Sequence, residues 1–186
     1  MMQIVLCVIL CLCSFVVAAN DTFLKLYRPY GDVTDQVTPQ VTTTFSGECF
    51  SQSQLIVRED AWRCVANGKT YDPCFVKSGP NRTEAVCPQS PWVSESVQIM
   101  VKAPLNNEQN KLLDMSRTYP WAIELANGEH CQAINSGTIY DQMPVRYQCT
   151  NNNYLVGHLQ RCKTQWSMLE KTPEGVVTVQ LEKAWF

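Results

Sequence analysis

The stretch Trp121-Ala122-Ile123-Glu124-Leu125-Ala126-Asn127-Gly128-Glu129-His130-Cys131-Gln132-Ala133-Ile134 decides the fold class. Two short β-type runs flank Asn127-Gly128, and Asn-Gly in that setting is the strongest short-range hairpin signal, because both residues accept positive φ in a type I′ turn. The signal recurs upstream, where Ala61-Trp62-Arg63-Cys64-Val65 leads through Asn67-Gly68 to Thr70-Tyr71. Downstream, residues 144–149 face Tyr154-Leu155-Val156 across Asn151-Asn152-Asn153, and residues 165–169 face residues 176–181 across Pro173-Glu174-Gly175. Residues 96–101 alternate polar and apolar with a period of two, the pattern of a half-buried strand. Helix signals are few: residues 107–115 fit two turns with Leu112, Leu113 and Met115 inward, and residues 51–60 fit another short turn. The expectation is a mainly β protein, an antiparallel meander forming a small barrel or sandwich with one or two short helices. Residues 76–92, with Gly79, Pro80, Pro88 and Pro91, read as a loop held by cysteines.

Working outward, residues 2–17 are almost wholly apolar and end in Val17-Ala18-Ala19 ahead of Asn20-Asp21. This is the pattern of a signal peptide, residues 1–19, cleaved after Ala19. It is short for a membrane span; because it carries no Lys or Arg, a retained N-terminal anchor is the alternative. Residues 20–46 read as an extended lead-in or linker, with Phe23, Leu24, Leu26 and Tyr27 able to dock a short strand. Residues 47–186 read as a single β-rich, disulfide-stabilised domain. The net charge is −2, so no basic excess favours nucleic acid and no polybasic patch favours anionic lipid. A secreted or periplasmic protein that leaves the membrane after cleavage is expected.

Cysteine usage agrees with export. Three of the ten cysteines, Cys7, Cys11 and Cys13, belong to the leader. The others, Cys49, Cys64, Cys74, Cys87, Cys131, Cys149 and Cys162, form no C-x-x-C, so disulfides rather than a metal are expected. If Asn67-Gly68 is a two-residue turn, Cys64 faces Tyr71 and is out of register with Cys74. Cys131 and Cys149 sit on successive predicted strands and can oppose one another, closing a loop worth about 3 kcal/mol by the chain-entropy estimate. Cys74 with Cys87 and Cys49 with Cys64 is the arrangement adopted for the rest, one of the fifteen that six cysteines allow. Cys162 is then the odd thiol.

The block Cys49-Phe50-Ser51-Gln52-Ser53, Arg58-Glu59-Asp60-Ala61-Trp62-Arg63-Cys64 and Asp72-Pro73-Cys74-Phe75 resembles a pattern found in a family of exported bacterial cysteine-containing domains. The similarity continues through Val86-Cys87-Pro88, Asn127-Gly128, Cys131 and Arg146-Tyr147-Gln148-Cys149. The resemblance implies an exported bacterial domain with six shared cysteines, Cys162 lying outside the set. It implies no activity, since none is known for that family.

The residues offer little catalytic chemistry. His130 adjoins Cys131, but strand neighbours point to opposite faces; His158 precedes Cys162 by four residues in a run that reads as strand. No G-x-S-x-G or H-E-x-x-H occurs. Glu59, Asp60, Asp72 and Glu124 are the carboxylates available, and Asp60, Asp72 or Glu124 would serve as acid or base. A structural reading competes, in which Asp60 with Arg63, or Asp72 with Arg58, locks the cysteine-rich loops. Trp62, Trp92, Trp121, Trp166 and Trp185 either fill a β core or form a sugar-stacking platform. Asn81-Arg82-Thr83 is a glycosylation sequon that matters only in a eukaryotic secretory pathway.

Three functions are carried forward, with no cofactor. The first is an exported, non-enzymatic binding protein of a bacterium, a host-directed or envelope factor whose partner is a protein or, alternatively, a glycan. The second is an inhibitor of an extracellular protease or lysozyme acting through the loop of residues 77–91. The third is a carbohydrate- or peptide-acting hydrolase using Asp60, Asp72 or Glu124.

Overall fold

The computed structural model describes residues 21–30, 37–77, 79 and 82–186. The leader, its cleavage point and Asn81 of the sequon lie outside these residues. The described residues begin with a short strand, β1 (Phe23–Lys25), followed by β2 (Gln40–Gln52), β3 (Ala61–Ala66), β4 (Lys69–Val76), β5 (Glu84–Pro88) and β6 (Glu95–Val101). Strands β2 to β6 form a closed barrel. In an up-and-down meander of five strands the first and last run in the same direction, so closure must be parallel. β2 and β6 indeed pair in parallel, from Gln40↔Glu95 to Gly47↔Val101.

The second half is also mainly β: β7 (Ala122–Leu125), β8 (His130–Ala133), β9 (Ile139–Tyr140), β10 (Met143–Cys149), β11 (Tyr154–Gln160), β12 (Ser167–Thr172) and β13 (Gly175–Trp185). β9 pairs only with β10; the others run in the order β13-β12-β11-β10-β8-β7, and β13 returns to pair with β7. Six strands close antiparallel, with Leu181↔Leu125 and Trp185↔Ala122 in register. β1 lies parallel on β13.

The turns explain the registers. Asn67 and Gly68 both have positive φ, 48° and 71°, so Ala66 faces Lys69 and Cys64 faces Tyr71. The Asn127-Gly128 connection is one residue longer than a type I′ turn. Leu125 donates its N–H to Glu129 O, and Gly128 at φ 85° takes the left-handed position. The Asn151-Asn152-Asn153 turn has the same form, with Asn152 at φ 65° and Cys149 N–H on Asn153 O.

The three disulfides among the described residues link neighbouring strands: Cys49–Cys64 across β2 and β3, Cys74–Cys87 beside the Phe75↔Val86 pair of β4 and β5, and Cys131–Cys149 across β8 and β10. Cys162 is a free, exposed thiol.

Three apolar clusters follow from this plan. Trp62, Ala66, Val76, Ala85 and Ile99 fill the barrel with the first two disulfides. Leu125, Tyr147, Leu155, Met168 and Leu181 fill the second closed sheet around Cys131–Cys149. The third cluster joins the two sheets through Tyr27, Phe75, Trp121, Trp185 and Phe186. Tyr27 packs its ring 5.3 Å from Phe75 and 5.2 Å from Trp121. Each such aromatic withdraws 150 Å² or more from water by the usual estimate of about 150–250 Å².

Several expectations change. Residues 40–46, read as linker, are the first half of β2, held by the parallel ladder to β6. Residues 23–25 dock as a strand, but on the second sheet. The expected helix over residues 107–115 shrinks to a single 3-10 turn (Asn107–Gln109). The reason is competition for its backbone donors: Lys111 N–H goes to Gln52 Oε1 and Leu113 N–H to Glu59 Oε2, leaving Leu112 75% exposed. The loop read over residues 76–92 contains β5. Trp62, Trp121 and Trp185 are buried in the cores and Trp92 and Trp166 pack against one, so no platform of five tryptophans forms.

Candidate ligand-binding cleft

A cleft of about 420 Å³ opens between the two sheets. One wall is the Gln54–Val57 segment after β2; the other is built from residues 117–119, 133–139 and 144–147. The first wall is set by Ser53 and Asp72. Ser53 Oγ accepts the N–H groups of Leu55 and Ile56, each at 3.1 Å, and donates its own proton to the Asp72 carboxylate. Asp72 also accepts Gln54 N–H at 2.9 Å. Burial pushes the Asp72 carboxyl above its ordinary range, against these hydrogen bonds and the field of Arg63. The Asn135 side-chain amide donates to Gln54 Oε1 and ties the two walls together.

The second wall carries Arg146. Val145 pairs with Val156 while Tyr147 pairs with Leu155, so Arg146 is the extra residue of a β-bulge, a device that re-aims a side chain. On the facing strand Gly157 adopts φ 77° and its carbonyl accepts Arg146 Nε–H at 2.7 Å. The guanidinium lies 4.2 Å over the Tyr119 ring. Arg161 sits on Tyr119 at 5.5 Å and on Trp166 at 5.0 Å. Its two terminal nitrogens donate to Ser116 O and Thr118 O, fixing the loop that carries Tyr119. Tyr119 Oη is 3.3 Å from His158 Nδ1.

The lining is apolar at Leu55, Ile56, Val57, Ile134 and Val145, and its charged groups are the guanidiniums of Arg117 and Arg146. Ile139, 69% exposed, stands on the rim. It also borders a second, mainly apolar hollow of about 550 Å³ containing Tyr140, Tyr154 and Lys171.

The residues singled out from sequence lie elsewhere. Arg58 pairs with Asp60, through Nε at 2.6 Å and Nη2 at 2.7 Å, rather than with Asp72. Arg63 lies 5.7 Å over Phe50 and reaches Asp72 only through its field, so neither ion pair expected from sequence is the close one. Arg58 also donates to Tyr27 O at 2.6 Å and Phe186 O at 3.0 Å. Glu124 accepts from Lys183 Nζ at 3.0 Å, with His130 Nε2 at 4.0 Å and the His130 ring stacked on Trp92 at 4.1 Å. Asp60, Asp72 and Glu124 thus occupy three separate environments. Asp72 borders a hollow of about 260 Å³ that also contains Glu95, but both Asp72 oxygens already serve the Ser53–Gln54 turn. Among the described residues no cluster of His, Cys, Asp and Glu is arranged to hold a metal, and no helix is long and apolar enough to cross a membrane.

Tyr119 and Arg161 carry no sequence signal of their own, and Arg146 stands out in the sequence only as part of the Arg146-Tyr147-Gln148-Cys149 run. The available signal is Gly157 inside a strand, which marks a bulge or a close backbone approach. No protein-family model, curated protein or solved structure matches the chain.

Proposed function

We propose that this is an exported, non-enzymatic binding protein and that the cleft between its two closed sheets is the contact surface. The observation that carries the reading is the make-up of that cleft. It has the size of a ligand site, apolar walls and guanidinium groups, while the three carboxylates considered for acid–base chemistry are engaged elsewhere as structural partners. A general acid or base has to reach a reacting group, and Asp60 and Glu124 each face a cation instead.

Three cross-strand disulfides suit an oxidising compartment, and the apolar leader is the natural export signal, cut after Ala19. The resemblance of the Arg58 to Phe75 block to exported bacterial domains supports an envelope or host-directed role. Its partner is then a protein. The inhibitor reading has less support, because Glu84–Pro88 is a barrel strand and not part of a protruding loop.

The test is a pull-down from bacterial-envelope and host-cell extracts, with the oxidised protein recovered from a secretory host. A saturable protein partner lost on Ile139→Glu supports the cleft as contact surface. A partner retained by that variant moves the surface elsewhere. An enzyme as partner would revive inhibition, and turnover of a glycan or peptide substrate would overturn the non-enzymatic reading.

A further inference from the structure

We infer that the cleft receives a side-chain carboxylate, an Asp or Glu flanked by apolar residues in a partner protein, and that Arg146 is the group that takes it. This rests on the cleft being the contact surface.

Arg58, Arg161 and Arg146 are used differently. Arg58 spends its guanidinium on Asp60, Tyr27 O and Phe186 O. Arg161 spends its terminal nitrogens on Ser116 O and Thr118 O. Both are structural clamps. Arg146 engages only Nε, with Gly157 O, and its other contact is the face of Tyr119. Among the described residues no acceptor meets its terminal nitrogens and no carboxylate pairs with it. Two irregularities converge to hold it this way: the bulge at Arg146 and the left-handed Gly157 opposite. A regular ladder would satisfy the strands without either.

The result is a guanidinium whose plane is fixed before binding. A fixed planar fork matches a carboxylate with two parallel hydrogen bonds, and pre-organisation reduces the entropy lost on association. Apolar walls at Leu55, Val57 and Val145 reduce water's competition for that pair. Lys171 beyond Ile139 adds positive charge at the rim, whereas the exposed Arg117 is offset by Asp114 at 3.7 Å, and the chain as a whole is at −2. Exposed Ile139 and Val57 favour an apolar flank beside the acid. A phosphate backbone would instead call for a row of cations.

The test is an NMR titration of the full chain, labelled with nitrogen-15 and recovered oxidised from a secretory host. The probes are a panel of capped peptides with Glu or Asp between leucines, each with its Gln or Asn counterpart. Saturable shifts are expected at residues 134–139 and 145–147 and at the Arg146 Nε–H. The amide counterparts should bind at least about ten-fold more weakly, the value of a charge-assisted hydrogen bond. Arg146→Lys should lose a similar factor while keeping the native spectrum, since an ammonium has no planar fork. Equal binding of acid and amide peptides at the cleft would overturn the carboxylate and leave the contact surface standing. Shifts confined to other faces, or no binding by any acidic peptide, would overturn the inference, with the pull-down then deciding the surface by itself. Tighter binding of an oligouronate than of every peptide would overturn the protein source.

Discussion

Arg58 and Asp60 meet in a two-point contact, at 2.6 and 2.7 Å, beside the core that joins the two closed sheets. The Arg58 side chain is 7% exposed and that of Asp60 19%, and the guanidinium also lies 4.9 Å over Phe75. Removing one partner leaves the other charge withdrawn from water. Arg58→Met is therefore expected to lower the unfolding free energy by about 3–5 kcal/mol, read by urea denaturation. Arg58→Met with Asp60→Asn should recover part of that loss. A single-variant cost below about 1 kcal/mol would mean that the pair does not hold the sheets together.

Once the leader with Cys7, Cys11 and Cys13 is removed, the oxidised protein should expose one reactive thiol. Alkylation without reductant, read by intact mass, is expected to add a single label at Cys162 and none at the six bridged cysteines. Replacing Cys131 and Cys149 together by Ser should cost about 2–4 kcal/mol. Two or more labels on the folded protein would refute the pairing.

Glycines mark two close approaches of different kinds. At Gly47 a Cβ would stand 2.5 Å from Val65 O and 2.8 Å from Ala66 Cβ, so Gly47→Ala must push β2 off β3 and should cost about 1–3 kcal/mol or more. At Gly157 a Cβ would meet only the Met143 thioether at 3.3 Å, and the penalty is mainly the left-handed backbone, about 1–2 kcal/mol. Trimming Met143 to Ala should therefore fail to rescue Gly157→Ala in thermal melts. A full rescue would show that packing, not backbone conformation, selects glycine there.

Asp72 gives a pH dependence of defined sign. Burial raises its carboxyl above the unfolded value, so the folded chain holds that proton more tightly than the unfolded chain. The resulting stabilisation is present at low pH and is lost as the pH rises from the ordinary Asp value, about 3.9, through the raised one. Asp72→Asn removes this slope. The stability of the variant relative to wild type should therefore climb over that interval and then level off, in unfolding titrations run side by side. A relative stability that falls with rising pH would mean that Ser53, Gln54 and Arg63 outweigh burial.

Much of the fold could be read because it is local. Asn67-Gly68 sets the β3–β4 register, and that register separates Cys64 from Cys74 and argues against a bridge between them. The Thr-rich run of residues 40–46 misled because its side chains are mostly exposed; what holds it is backbone pairing to β6, a partner some 50 residues on by the register of Gln40 with Glu95. The segment of residues 107–115 has helical spacing, but Gln52 and Glu59 take backbone donors that a helix would have used. The cleft was the least legible part. An alternating pattern does not show which residue is the extra one of a bulge, so Arg146 read as an ordinary strand residue, and its stacking on Tyr119 joins positions that only tertiary structure brings together.

The most direct measurement is site-specific photo-crosslinking of the oxidised protein to its captured partner, with the photoreactive group placed at Ile139 on the cleft rim and, as a control, at Val177, an exposed position of β13. Crosslinks from Ile139 that disappear on adding the acidic peptide, with none from Val177, are the expected result. Crosslinks from Val177 but not Ile139 would contradict the cleft as the contact surface.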